Sequence, residues 1–224
     1  NSQTGNMGAY LLVIGAALRT KSSWVFVPVG VLTLLLTGSR GSTVAAVVGV
    51  ALALFLGPYS WNRHLKRSLA LIGIFGVSAV AVTFAVIASP NLTGRNIYWA
   101  GYLDLWQSSP WIGVGVSGRM SGPVEIFGVN GHNLVIDALG IFGVFAAILV
   151  ILLLAIATTI GAKAALRGYV LALAVITTYI VIGVAQSDYA WMTPSNPWMF
   201  LVLSTLLGSS VLVERQTVPV RDAT

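Results

Sequence analysis

Residues 134–160 read LVIDALGIFGVFAAILVILLLAIATTI, a run of 27 residues whose only ionisable side chain is Asp137. A lipid hydrocarbon core about 30 Å thick is crossed by about 20 helical residues. The run is continuously apolar rather than alternating, which argues against a barrel strand. Because lipid offers backbone groups no hydrogen-bond partner, the remaining solution is a helix. The stretch predicts a membrane-spanning helix.

Six further apolar runs flank this stretch, and together they predict an all-α, polytopic helical membrane protein of about seven spans. Several runs are short for a full crossing, the first most clearly, so one of them could be re-entrant. Residues 1–224 are predicted to form a single membrane domain in which 89–133 is the one long loop. The predicted spans are 7–18, 24–38, 42–57, 69–88, 134–160, 168–187 and 197–213.

Composition supports the membrane class, because 57% of the residues are hydrophobic and only 8% are charged. Soluble domains are usually about a quarter charged. The net charge of +6 raises the possibility of nucleic acid as a partner. The basic residues instead lie in small groups between apolar runs, which argues against nucleic acid. The chain has no Cys, and His64 and His132 are far apart, so neither a metal site nor a cofactor is predicted.

The basic residues sort between alternate loops, which predicts the orientation of the chain. If the N-terminus lies outside, the cytoplasmic loops hold nine of the 12 Lys and Arg residues and the outer loops hold three. The loop 89–133 is then extracytoplasmic. The nine are Arg19, Lys21, Arg63, Lys66, Arg67, Lys163, Arg167, Arg215 and Arg221, and the three are Arg40, Arg95 and Arg119.

The long loop is predicted to contain an amphipathic helix over 95–107, followed by a glycine-rich turn over 110–115. An aromatic stripe of this kind suits a helix lying among lipid headgroups, and it equally suits a helix packed on the spans. Four large apolar side chains fall at helical spacing on one face: Trp99, Tyr102, Leu103 and Trp106.

The position of the three outer arginines has to be explained, because a charged residue at the membrane boundary suggests a functional role. Arg40 lies in a tight turn between two spans, where it could bind an anion, snorkel, or pair with Asp188 or Asp137. Arg95 starts the loop helix, where a cation opposes the helix dipole. A bound phosphate or diphosphate would explain it, and so would contact with lipid phosphates. Arg119 lies in a stretch rich in Gly and Ser, and its position fits a functional role and a structural role equally well.

His132 is the candidate general base, because it stands where the long loop re-enters the membrane. A neutral imidazole can accept a proton from a hydroxyl near neutral pH. The alternative is an interfacial polar residue without a catalytic role. Asp188 directly follows a span and could orient an Arg or a substrate hydroxyl, while Asp137 could hold the ring of His132.

Six short motifs give the chain a resemblance to a known family. They are GN at 5–6, SRG at 39–41, RNIYW at 95–99, PWIGVG at 110–115, HNL at 132–134 and LGIFG at 139–143. In order and in sidedness they resemble the O-antigen ligase and O-antigen polymerase superfamily of bacterial membrane glycosyltransferases. Family members usually have ten or more spans, so the chain is expected to represent the C-terminal part.

The resemblance implies transfer of a glycan from an undecaprenyl-diphosphate-linked oligosaccharide to an acceptor hydroxyl of a glycolipid, glycan or protein. The reaction would use neither metal nor nucleotide sugar, at the outer face of the bacterial cytoplasmic (inner) membrane. Residues matching Arg40 and Arg95 would bind the diphosphate, and one matching His132 would be essential. The other predicted substrate contacts are Arg119, Asp188, Trp99 and Tyr102. The alternatives are a polymerase, or a transporter or flippase, which would carry polar residues inside its spans.

Overall fold

The computed structural model describes residues 2–18, 20, 22–56, 95–120, 133–185 and 202–210. All regular structure in these ranges is helical, as the sequence predicts. The predicted span 69–88 lies outside the described residues. The helices are α1 (Ser2–Leu18), a 3₁₀ turn (Ser22–Val25), α2 (Phe26–Thr37), α3 (Arg40–Phe55), α4 (Arg95–Ser108), α5 (Gly115–Met120), α6 (Leu134–Leu166), α7 (Val170–Ala185) and α8 (202–210).

Within the described part of the chain, one helix is long and apolar enough to cross a membrane by length and composition. That helix is α6, and it contains the stretch from which the membrane class was predicted. Helices α2, α3 and α7 are apolar but shorter. The count of seven spans therefore stays a prediction.

Helices α1, α3 and α7 cross at one point in the bundle. A side chain at Gly49 of α3 would overlap both Val13 of α1 and Thr178 of α7, so glycine is what permits this close approach. Seven residues before this crossing, Ser42 of α3 donates to Asn6 of α1. The starts of α1 and α3 therefore lie at the same end of the bundle.

Helix α7 runs in the opposite direction to α3. The last two turns of α3 and the first turn of α7 share one buried apolar cluster, which includes Leu52, Leu56, Val170 and Leu173. The start of α7 thus lies beside the end of α3. It follows that the end of α7 lies with the starts of α1 and α3.

Helix α6 is broken at Gly143, whose backbone (φ 79°, ψ −177°) is not helical. The residues on the two sides are named the short limb (134–142) and the long limb (144–166). Left without its helical acceptor at the break, the Val144 N–H donates to the Pro110 carbonyl at 2.9 Å. The sequence predicts one uninterrupted span over 134–160, and the structure differs by dividing it in two.

The two limbs of α6 fold back toward each other. Leu134 packs on Gly183 of α7, and Gly161 packs on Leu173 of the same helix. The two contacted residues of α7 lie ten positions apart, or about 15 Å along the axis. The 27 positions from Leu134 to Gly161 would cover about 40 Å in a straight helix. Both contacts can exist together only because α6 turns sharply at Gly143.

The segment 110–113 crosses α6 at this break through two glycines with positive φ. A Cβ on Gly113 (φ 69°) would overlap the carbonyl of Ile141, and one on Gly143 would overlap the carbonyl of Trp111. The two backbones are therefore in direct contact. No residue with a side chain fits at either position without moving the opposite chain.

Helix α4 confirms the predicted helix, and its contact with the rest of the protein lies on a face next to the aromatic stripe. It packs on the short limb through Tyr102, which is 1% exposed and lies against Gly140. Leu105 is buried in the same cluster and Tyr98 packs against it, whereas Leu103 is 38% exposed. The helix packs on protein along an i, i+4, i+7 stripe that is displaced by about one residue from the aromatic stripe.

Candidate functional site

A buried polar cluster fixes the start of α3 against α1. The Ser42 hydroxyl donates to Asn6 Oδ1 at 2.7 Å, and the Ser39 and Ser42 hydroxyls are 2.7 Å apart. Asn6 and Ser42 are both buried, which is tolerable because their polar atoms are hydrogen-bonded. Arg40 begins α3 directly beside this cluster and is exposed. The cluster therefore holds the backbone that carries Arg40.

The bond between Asn6 and Ser42 gives a measurable coupling. We expect Asn6→Leu or Ser42→Ala alone to lower the free energy of unfolding by about 1–3 kcal/mol, because each removes a hydrogen bond from a buried polar group. The double variant is expected to lose less than the sum of the two. Thermal or denaturant unfolding in detergent measures this cycle. Additive losses would show that the bond does not couple the two helices.

Asn133 joins the start of α6 to the end of α7. Its side-chain oxygen accepts from the N–H groups of Val135 (3.0 Å) and Ile136 (3.2 Å), which makes it the helix cap. Its amide donates to the carbonyl of Val184 at 3.4 Å. One side chain thus fixes the backbone position that directly follows His132 in sequence. His132 itself lies outside the described residues.

Helix α4 brings Arg95 to the level of Asn133, because α4 and the short limb run in the same direction. Tyr102 lies at Gly140. Four positions further along each chain, Trp106 Nε1 (3.1 Å) and the Val144 N–H (2.9 Å) donate to one shared carbonyl, that of Pro110. Seven positions before the Tyr102 contact, α4 starts at Arg95 and the short limb is capped by Asn133. The structure describes the backbone of Arg95 and not its side chain.

Arg40 and Asn133 lie at the same end of the bundle. From the crossing at Gly49, Ser42 lies seven positions along α3 and Val184 six positions along the antiparallel α7 from Thr178, or about 10 Å in each case. Asn133 is bonded to Val184. We call this end the polar end, defined by Asn6, Ser39, Arg40, Ser42 and Asn133. Lys163 and Arg167 lie at the opposite end, where both are exposed.

Among the described residues, no three His, Cys, Asp or Glu side chains come together as metal ligands would. Comparison with known proteins adds no assignment. No protein-family model matches this sequence, and no curated protein matches it. The resemblance to the O-antigen ligase superfamily therefore depends on the motifs in the sequence alone.

The four remaining predicted substrate contacts, Trp99, Tyr102, Arg119 and Asp188, differ in how the structure describes them. Tyr102 is 1% exposed and packs on Gly140, so its ring is covered by protein. Trp99, three residues earlier, is only half buried. Arg119 lies in α5, which is described only by its backbone there. Asp188 lies outside the described residues.

Asp137 is a buried carboxylate one turn into α6. Its N–H donates to the Asn133 carbonyl at 2.9 Å, so it belongs to the turn that Asn133 caps. Its predicted contact with His132 involves a residue outside the described ranges. Asn6 belongs to the GN motif and Ser42 directly follows the SRG motif, but nothing local in the sequence shows that they bond to each other.

Chemically, the polar end is suited to an anion. Helices α3 and α4 both begin there, and each carries an arginine as its first residue. The first turn of a helix has free N–H groups and a partial positive charge of about one half. Together with a guanidinium, such a terminus favours phosphate oxygens over neutral ligands.

Proposed function

We propose that this chain is a multi-pass protein of the bacterial cytoplasmic membrane and a glycosyltransferase of the O-antigen ligase type. The observation that carries the proposal is the grouping of the outer arginines. Arg40 and Arg95, which break the charge rule, begin helices at the same end as Asn133. A basic pair maintained on the side with few charges needs an anionic partner.

The proposed donor is a glycan on a polyprenyl diphosphate, and the acceptor is a hydroxyl of a glycolipid, glycan or protein. The acceptor oxygen attacks the anomeric carbon of the donor sugar, and the bond from that carbon to the diphosphate oxygen breaks. The electron pair leaves with the diphosphate. His132 takes the proton of the acceptor hydroxyl as general base.

The arginines would act on the charge that develops during this step. Negative charge grows on the diphosphate as the bond breaks, so Arg40 and Arg95 stabilise the transition state more than the bound donor. Arg119 and Asp188 are proposed to orient the substrates, and Trp99 to offer a sugar ring an apolar face. Ligase and polymerase share this chemistry and differ in the acceptor.

The proposal is tested with the purified protein in vesicles that contain an undecaprenyl-diphosphate-linked oligosaccharide. We expect glycan transfer to a lipid or glycan acceptor at a rate that excess EDTA does not change, because no step uses a metal. Transfer is followed by mass spectrometry of the acceptor. Inhibition by EDTA would refute the metal-free mechanism. Movement of the donor across the bilayer without transfer would identify a flippase instead.

A further inference from the structure

The two limbs of α6 differ in what their surfaces face. Between residues 134 and 144, all of which the structure describes, no large apolar side chain is exposed. The long limb differs, because many large apolar side chains along it are about half exposed. These are Phe145, Ile148, Leu149, Ile151, Leu152, Leu153 and Ile156. Only the long limb has the surface of a helix in lipid.

The exposed row continues beyond the helix onto the crossing segment. Trp111 is 64% exposed and Ile112 is 76% exposed. The ring of Trp111 lies 5.7 Å from that of Phe145, centroid to centroid. The turn at the break therefore presents two large apolar side chains next to Phe145, at the N-terminal end of the exposed row of the long limb. Water-exposed turns seldom carry such residues side by side.

The length of the long limb matches the thickness of a bilayer. Phe145 is 18 positions from Lys163 and 22 from Arg167, distances of about 27 Å and about 33 Å along a helix. The hydrocarbon core is about 30 Å thick. Exposed basic residues thus end the apolar row at one side, and a tryptophan ends it at the other. Both are residues that mark the water–lipid boundary.

We propose that Trp111, Ile112 and Phe145 form an anchor that inserts into lipid at the outer edge of the hydrocarbon core. The occupant of this surface is bilayer lipid, since the patch is continuous with the exposed row of the long limb. Of the two limbs of α6, only the long limb then crosses the membrane. The short limb and α4 are held by protein above or beside it, which sets the height of Arg95 and Asn133. The inference rests on the membrane placement in the proposed function.

The absence of Cys from the chain allows single cysteines to report depth without background. Ile112→Cys, Leu152→Cys and Gln107→Cys would each be labelled with the fluorophore NBD, all at exposed positions. The proteins would be reconstituted in phosphatidylcholine–phosphatidylglycerol vesicles. Aqueous iodide and lipids spin-labelled near the headgroup or in mid-chain would serve as quenchers. Gln107, in the last turn of α4, is the polar control.

We expect NBD at position 112 to be quenched weakly by iodide and strongly by the lipid spin-labelled near the headgroup. Position 152 should respond best to the deep spin label, and position 107 to iodide. If 112 responds to iodide as 107 does while 152 is quenched by lipid, the anchor is refuted and the membrane placement survives. If 152 also responds to iodide, the membrane placement fails as well. Protection of 112 from both quenchers would mean that protein, such as a second copy, covers it, which also refutes the anchor.

Discussion

Replacing Gly143 or Gly113 by alanine is expected to lower the free energy of unfolding by about 3 kcal/mol or more. Both residues have positive φ, which costs a side-chain-bearing residue about 1–3 kcal/mol. In addition, a Cβ at either position overlaps the opposing backbone, at Trp111 or Ile141. Overpacking adds about 1–3 kcal/mol, and backbone cannot rotate away as a flexible side chain can. Unfolding in detergent, by heat or by denaturant, measures the loss.

Gly115 provides the matched control for this prediction. Its φ of 70° is almost the same as that of Gly113, but nothing lies within 4 Å of a Cβ built on it. Gly115→Ala should therefore show the conformational cost alone, about 1 kcal/mol. Equal losses at positions 113 and 115 would mean that the two backbones are not in contact at the break.

Arg40→Ala is expected to reduce glycan transfer by about a hundredfold or more while the protein stays folded. Removing one group that stabilises developing negative charge costs about that much in the rate. Since Arg40 is exposed, its loss should hardly affect stability. Arg95→Ala and His132→Ala are expected to lower transfer as strongly. The measurement is the initial rate of acceptor modification at matched protein levels, with a melting curve for each variant.

Two comparisons separate a specific role from a general charge effect. Arg40→Lys keeps the charge and loses the two-pronged contact, so it should recover only part of the rate. Lys163→Ala removes a cation from the opposite end of the bundle and should leave transfer unchanged. Wild-type transfer by Arg40→Ala would remove Arg40 from the site. Equal loss in Lys163→Ala would assign the effect to membrane insertion.

The helices were predictable because their causes are local. Composition and continuous apolar runs lead directly to α6, and the apolar periodicity of 95–107 leads to α4, which ends one residue later at Ser108. The break at Gly143 could not be predicted in the same way. Glycine inside an apolar run also permits close helix packing, as at Gly49, and only the crossing segment distinguishes the two uses.

The candidate site shows the same division between local and distant causes. Arg40, Arg95 and Arg119 stand out in sequence because the charge rule needs only the order of the loops. The bond between Asn6 and Ser42 joins residues 36 positions apart, and no spacing rule indicates it. The burial of Tyr102 depends on Gly140 of another helix, so the spacing of residues around Tyr102 does not indicate it.

Because α6 folds back at Gly143, the number of residues along it does not give the distance that it covers. A hydropathy profile converts a count of apolar residues into a distance along the membrane normal, on the assumption that the helix is straight. Leu134 and Gly161 violate that assumption, because they dock beside residues of α7 that are only ten positions apart. A profile would therefore assign α6 a greater length than the distance between its two contacts along α7. Under the proposed membrane placement, a topology map of this chain should count the depth of α6 from Gly143 onward.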